Sequence, residues 1–219
     1  MVSLDTMHLT SYEYKQNVFL VRHGTTEDIE KHLMQGSSDS PLSTRGREEA
    51  KQTSGVLGRI RFKAIFSSPM GRARETAQIL AGRHPGLEIT LLDNLHEMDF
   101  GYYEKKPYFA SPDEVPHGLR RLSLLAKIIF AQATGETLSH VSQRALKSWG
   151  QIISKVPEGP LLIVSHGVLI NYLLKYLLSK PDFEAIKPAN LRPCSITELE
   201  VTSPGNAKLI RINDTSHLK

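Results

Sequence analysis

The chain has one cysteine, Cys194, in 219 residues. A single thiol excludes an internal disulfide and any metal site built from several cysteines. It makes a reducing, cytoplasmic setting the default expectation. No apolar run approaches the ~20 residues that a membrane-spanning helix needs. Residues 1 to 16 include Asp5, Glu13 and Lys15 and lack an apolar segment, so no secretory signal is read there. They are expected to form a surface tail. Charge of one sign is also scarce, with a net charge of +4 and a pI near 9.1. The basic residues are scattered, with short pairs at Lys105-Lys106 and Arg120-Arg121. The concentrated stripe of a nucleic-acid binder is therefore missing, and neither nucleic acid nor a membrane is an expected partner. A mildly positive chain suits a small anionic substrate better. There is no His-x-x-x-His helix spacing and no carboxylate cluster, so no metal is expected. Ser165 lacks a Gly-x-Ser-x-Gly elbow, which disfavours a serine hydrolase.

What the sequence does contain is ordinary for a globular protein, with 40% hydrophobic and 23% charged residues. The length suffices for a substantial core. Two histidine-glycine pairs, Arg22-His23-Gly24 and Ser165-His166-Gly167, follow the apolar runs Val18-Phe19-Leu20-Val21 and Leu161-Leu162-Ile163-Val164. Such runs read as buried strands. Each histidine thus sits where a strand ends, and in an open α/β sheet that edge is where ligands bind.

Other elements alternate around these two. A helix is expected from Ser43 to about Ile60, with Ala50, Val56, Leu57 and Ile60 inward and Arg47, Glu48, Glu49 and Lys51 in water. Ala64 to Ser67 reads as a strand. Ser68-Pro69 reads as the start of a helix that stops before Pro85-Gly86. Leu87 to Leu92 reads as a third strand, and Leu119 to Ala133 as a short helix. Thr137 or Ser139 caps a helix to about Val156, and another spans Val168 to Leu178. Ser195 to Val201 and Ala207 to Ile212 form a hairpin around Pro204-Gly205. Strands alternating with helices predict a mostly parallel central sheet covered on both faces. The segment from about 102 to 136 reads as an insertion over the sheet edge.

Four clusters carry candidate chemistry. Arg22 beside His23 needs an anion or solvent, and Gly24 lets a ligand approach the backbone. Arg72 lies in the first turn of its helix, where the helix dipole disfavours a cation. An anion shared with the helix N-terminus would offset that placement. Glu97 opens the proposed insertion; covered by it, desolvation would make it a usable acid. Asp99 is the competing carboxylate. His166 completes a set of two imidazoles, two guanidiniums and a carboxylate near one sheet edge.

These residues resemble the histidine phosphatase superfamily, in its phosphoglycerate mutase-like branch. The likeness spans roughly residues 17 to 200. It rests on Arg22-His23-Gly24, on Gln35-Gly36 with Asp39, Pro41, Leu42 and Gly46, and on Ser68 to Ala73 with Thr76-Ala77. It continues through Glu97 with Phe100-Gly101, Gly135-Glu136-Thr137, Val164 to Gly167, and Asn190 to Leu199. The resemblance implies a three-layer αβα sandwich, one domain over residues 1–219, with the insertion as its cap. It implies that His23 is the phosphorylated nucleophile, that Arg22, Arg72 and a protonated His166 hold the phosphoryl oxygens, and that Glu97 is the proton donor. Gly167 joins the phosphate contacts, and Gln35 and Gly36 are expected to meet the substrate. Where the family often has Trp-Asn, this chain has Asp28-Ile29, so Thr25 or Thr26 is expected to replace an asparagine phosphate contact. The usual Glu-Gly after the acid motif is Glu104-Lys105. The implied activity is metal-independent and cofactor-free hydrolysis of a small phosphomonoester. A phosphoglycerate mutase is the alternative, disfavoured because mutases of this branch usually carry a longer segment after the last strand. A non-catalytic phosphate-binding scaffold is the other alternative.

Overall fold

The computed structural model describes residues 15–107, 134–156, 158–186, 190–203 and 206–219. Among them the chain runs β1 (Gln16–Arg22), α1 (Glu27–Glu30), α2 (Thr44–Leu57), β2 (Ala64–Ser67), α3 (Gly71–Ala81) and β3 (Ile89–Leu91). After two short 3-10 turns it continues through α4 (Leu138–Lys155), β4 (Leu161–Ser165), α5 (Gly167–Leu177), α6 (Lys180–Ile186), β5 (Ile196–Ser203) and β6 (Asn206–Asp214). The strands form one sheet in the order β3-β2-β4-β1-β5-β6. The first four in that order pair in parallel, while β5 and β6 pair antiparallel.

The layering follows from alternation along the buried strands. Val18 and Leu20 of β1, Phe66, Leu161 and Ile163 face one side and pack against Val141, Trp149, Ile152 and Leu173 of α4 and α5. Phe19, Val21, Ile65, Leu162 and Val164 face the other and pack against Leu57, Ala73, Ala77 and Leu80 of α2 and α3. Period-two alternation on a strand buried on both faces produces this split. The three-layer αβα sandwich is therefore as expected.

Several boundaries differ. Gln16 is fully buried, opens β1 and donates Nε2 to the Gly159 carbonyl at 2.8 Å, so the tail ends before it. The third strand is trimmed to Ile89–Leu91. Helix α3 starts at Gly71 with Met70 in the capping position, because the Ser68 hydroxyl is engaged elsewhere. In α2 the buried face is Gly46, Glu49, Ala50, Thr53, Ser54 and Leu57, while Val56 is exposed. The expectation that Glu49 faces water is corrected below. Thr137 does cap α4, its hydroxyl accepting from the His140 N–H at 3.2 Å. The Leu119–Ala133 helix, the Arg120-Arg121 pair, the Pro204-Gly205 turn and most of the N-terminal tail lie outside the described residues. Among the described residues, no helix is long and apolar enough to cross a membrane.

Candidate active site

The strand register brings the two histidines together. In the parallel β1–β4 ladder Arg22 is opposite Ser165, so His23 and His166 are the next residues on adjacent strands. The His23 N–H donates to the Ser165 carbonyl at 3.0 Å, and the ring centroids are 5.1 Å apart. Ser68 leaves β2 at the same level, its N–H donating to the Val164 carbonyl at 3.0 Å. The sheet thus delivers three side chains to one point on its carboxyl edge, where open α/β sheets bind ligands.

Hydrogen bonds distinguish the two rings. His23 Nδ1 lies 2.8 Å from the Gly24 carbonyl, which can only accept. The ring hydrogen is therefore assigned to Nδ1, and Nε2 carries the free lone pair. His166 Nε2 lies 2.9 Å from Ser68 Oγ, which also accepts the Met70 N–H at 3.3 Å. Ser68 Oγ keeps its hydrogen and a second lone pair, so it suits a His166 ring hydrogen on Nε2 or on Nδ1. The His166 Nδ1 is buried and has no hydrogen-bond partner among the described residues. Burial first, then Arg72 and Arg22, hold His23 well below the usual imidazole range. Burial, Arg72, His23 and Arg22 do the same to His166. Both rings are therefore neutral near pH 7; the expectation of a protonated His166 concerns the ring beside a bound phosphoryl group. A dianionic phosphoryl group would oppose the cationic causes and favour proton uptake.

The arginines come from different elements. Arg22, at the end of β1, donates Nη1 to the Leu191 carbonyl. Arg72 is 1% exposed; it donates Nη1 to the Ser38 carbonyl at 2.8 Å and Nη2 to the Gly36 carbonyl at 2.7 Å. Its Nε is buried with no hydrogen-bond partner among the described residues. The anion expected at the α3 N-terminus is the chain's own: the Asp39 carboxylate accepts the Gly71 and Arg72 N–H groups and pairs with Arg72 Nη1 at 3.2 Å. The helix end is thereby occupied, which corrects the expectation that it shares a ligand anion with Arg72.

Glu97 is buried at the N-terminus of α5. Its Oε1 accepts from the Met98 and Leu169 N–H groups at 2.9 and 3.3 Å, and Oε2 accepts from the Val168 N–H at 3.2 Å. Asp99 instead turns onto its own backbone, accepting the Gly101 N–H at 2.6 Å. Of the two carboxylates, Glu97 lines the cavity and Asp99 does not.

The cavity is about 480 Å³. Its polar lining includes Arg22, His23, Gln35, Gly36, Arg72, Glu97 and Gly167, with Ile29, Leu33, Met34, Phe100 and Val168 as apolar wall. His166 lies one layer deeper, fully buried beside His23. Thr25 is not in this lining. Its N–H and hydroxyl both go to the Glu49 carboxylate, at 3.0 and 2.8 Å, and Thr26 caps α1 and accepts from Gln35. The expected phosphate contact from Thr25 is therefore corrected, and Ile29 stands at the cavity where the family often has asparagine.

Three contacts went unread in the sequence, although Ser68 and Asp39 stand among the motif residues. Ser68 orients His166, Glu49 ties down the turn after His23, and Asp39 holds Arg72. For Glu49 the signal was present: Gly46, Glu49, Ala50, Thr53, Ser54 and Leu57 follow helical spacing, but the face is mostly polar. Beneath the site, Cys194 is buried at φ 53°, its N–H donating to the Arg22 and His23 carbonyls at 3.0 and 3.3 Å. Among the described residues no group of three or more His, Cys, Asp or Glu side chains is placed to hold a metal ion.

Known proteins share this fold. The family model described as histidine phosphatase superfamily (branch 1) matches residues 18–215. A curated relative, the probable phosphoglycerate mutase GpmB of Enterobacter sp. (strain 638), is 33% identical, with 84% of each chain covered. Among solved structures, the phosphoglycerate mutase of Bacillus anthracis str. Sterne superposes with a TM-score of 0.76 at 25% identity, covering 94% of this chain and 96% of that one. A mycobacterial glucosyl-3-phosphoglycerate phosphatase superposes with a TM-score of 0.74 at 25% identity, covering 92% and 100%.

Proposed function

The chain belongs to the histidine phosphatase superfamily, branch 1, and on that premise we propose that it hydrolyses a small phosphomonoester through a phosphohistidine on His23. The observation that carries this reading is the pairing of a neutral His23, its Nδ1 tied to the Gly24 carbonyl, with Arg22, Arg72 and Glu97 around one cavity.

In the first step the Nε2 lone pair of His23 attacks phosphorus in line, and the bond to the ester oxygen breaks. Glu97, having taken a proton from solvent, gives it to the departing alkoxide. Oε2 is the oxygen with the lighter load of hydrogen bonds and is assigned that proton. Acid help of this kind is worth about 10²–10⁴-fold. Arg22, Arg72 and His166 offset charge on the equatorial oxygens. In the second step Glu97 takes a proton from water, the resulting hydroxide attacks the phosphoryl group, and inorganic phosphate leaves a neutral His23. Side chains supply the positive charge, so neither metal nor organic cofactor enters this scheme.

Between hydrolysis and mutase chemistry, the described part of the cavity wall supports the first through its apolar share. A phosphoglycerate carries a carboxylate besides its phosphate and calls for a second cationic contact. Among the described lining residues, Arg192 is the remaining cation; it is exposed and donates to Thr215 Oγ1 at 3.1 Å. Most of the remaining wall is apolar. The mutase reading is favoured by the names of the curated relatives. One assay separates the two: phosphate released from p-nitrophenyl phosphate and from 3-phosphoglycerate, against conversion of 3- to 2-phosphoglycerate. Phosphate release with an acid-labile phosphoenzyme, both lost in His23→Ala, is the expected result. Undiminished turnover by His23→Ala would overturn the scheme, and isomerisation without net release would assign a mutase.

A further inference from the structure

The proton donor sits on a stretch without a strand or α-helix of its own, and something must hold it. Residues 94–97 expose backbone carbonyls that need partners once buried. The Leu95 carbonyl accepts from Ser165 Oγ at 2.7 Å and that of Glu97 from His96 Nδ1 at 2.7 Å, while Arg144, on α4 and 5% exposed, reaches Asn94, His96 and Glu97. Its Nη1 donates to the Asn94 and His96 carbonyls, each at 2.9 Å, and its Nη2 reaches the Glu97 carbonyl at 3.4 Å. The other edge of the guanidinium meets both oxygens of buried Glu136, with Nε and Nη2 each at 2.7 Å. Bidentate pairing of this kind fixes orientation as well as charge.

Glu136 also stands at a junction. Its N–H donates to the Asp99 carbonyl at 2.9 Å. A Cβ on Gly135 would lie 2.5 Å from that same carbonyl, and one on Gly101 would lie 2.4 Å from the Thr134 carbonyl. Backbones 99–101 and 134–136 are thus pressed together, and these are the two ends of the stretch read from sequence as an insertion. The Glu97 side chain is meanwhile held by N–H groups of α5, which packs against α4.

We infer that Arg144 and Glu136 are positioning residues for the proton donor: the pair fixes the backbone of Glu97 to α4 and holds the two ends of the stretch from about 102 to 136 at the same point. This rests on the phosphatase reading with Glu97 as acid. A misplaced acid harms poor leaving groups far more than good ones, because a good leaving group departs without a proton. A merely structural defect would lower every substrate alike.

The test is kcat/KM for a series of substituted phenyl phosphates, from p-nitrophenyl to unsubstituted phenyl. Arg144→Lys keeps the charge but cannot span Glu136 and three carbonyls. It is expected to lower phenyl phosphate turnover about tenfold or more while p-nitrophenyl phosphate falls less than about threefold, within the range acid help provides. Glu97→Gln should steepen the same dependence, and adding Arg144→Lys to it should change the slope little, since both act on one group. Breaking a buried ion pair destabilises strongly, so the double variant Arg144→Met/Glu136→Leu, neutral and similar in volume, is the second arm. Circular dichroism checks that each folds. Equal losses across the series, or no losses, overturn the inference while leaving the phosphatase reading intact. So does unfolding of both variants, which would make the pair structural. A wild type that hydrolyses none of the series overturns the phosphatase reading and this inference with it.

Discussion

His23 and His166 occupy equivalent places on neighbouring strands, but their partners differ in kind. A carbonyl can only accept, so it sets the His23 tautomer outright. A hydroxyl can donate and accept at once, so Ser68 fixes where the His166 ring points and leaves its tautomer open. Ser68→Ala should therefore lower kcat by about tenfold, and because it leaves the Met70 N–H and the buried His166 Nε2 without a partner it should also lower Tm by a few degrees, about 2–4 °C per kcal/mol. Inorganic phosphate release and a thermal melt check both halves. The buried neutral rings also couple folding to pH. Their folded pKa lies below the unfolded value near 6.5, so below that pH the unfolded chain binds protons that the native chain refuses. Their contribution is present above the unfolded pKa and lost as pH falls toward the folded one. Urea unfolding at pH 7.5, 6.5 and 5.5 should show stability declining below about 6.5, at up to ~1.4 kcal/mol per pH unit for each ring. The His23→Ala variant should lose part of that slope. A flat profile would contradict the neutral assignment.

At the scale of elements, the end of α2 is pressed onto the turn that follows His23. A Cβ on Gly46 would stand 1.8 Å from the Thr25 carbonyl oxygen, and one on Gly24 2.6 Å from that of Gly46. Gly46→Ala gains about 1 kcal/mol of helix propensity, but the clash is with backbone and the cost of overpacking exceeds it, for a net loss of about 1–3 kcal/mol. Gly55, on the same helix with open space at its Cβ position, gives the contrast. Gly55→Ala should stabilise by about 0.5–1 kcal/mol. Paired denaturant titrations decide both. The same helix shows what the sequence concealed. Apolar runs and histidine-glycine turns made β1, β4 and the histidine pair legible, because alternation and turn chemistry are local. The inward face of α2 was read correctly at Ala50 and Leu57 and missed at Gly46, Glu49, Thr53 and Ser54, whose burial depends on partners from other elements. Asp39 on Arg72 and Ser68 on His166 were hidden for the same reason: both are contacts across elements, which spacing along one element does not register.

Across the whole molecule, the sheet order places strands distant in sequence side by side, and the proposed scheme draws its positive charge from the guanidiniums that this topology gathers. Turnover is accordingly expected to survive excess EDTA unchanged, and a loss restored by a divalent cation would contradict a site run on guanidinium charge. The same topology brings β5 beside β1 and seats Cys194 under the turn at His23, bonded to the backbone of Arg22 and His23. Burial holds its thiol well above the ordinary range for cysteine. Thiolate is the reactive form, so the native chain should resist alkylation. As the one thiol in the chain, Cys194 then serves as an internal reporter. Its rate of labelling by a maleimide measures how often the floor beneath His23 opens, and a bound oxyanion that steadies the floor should slow that rate.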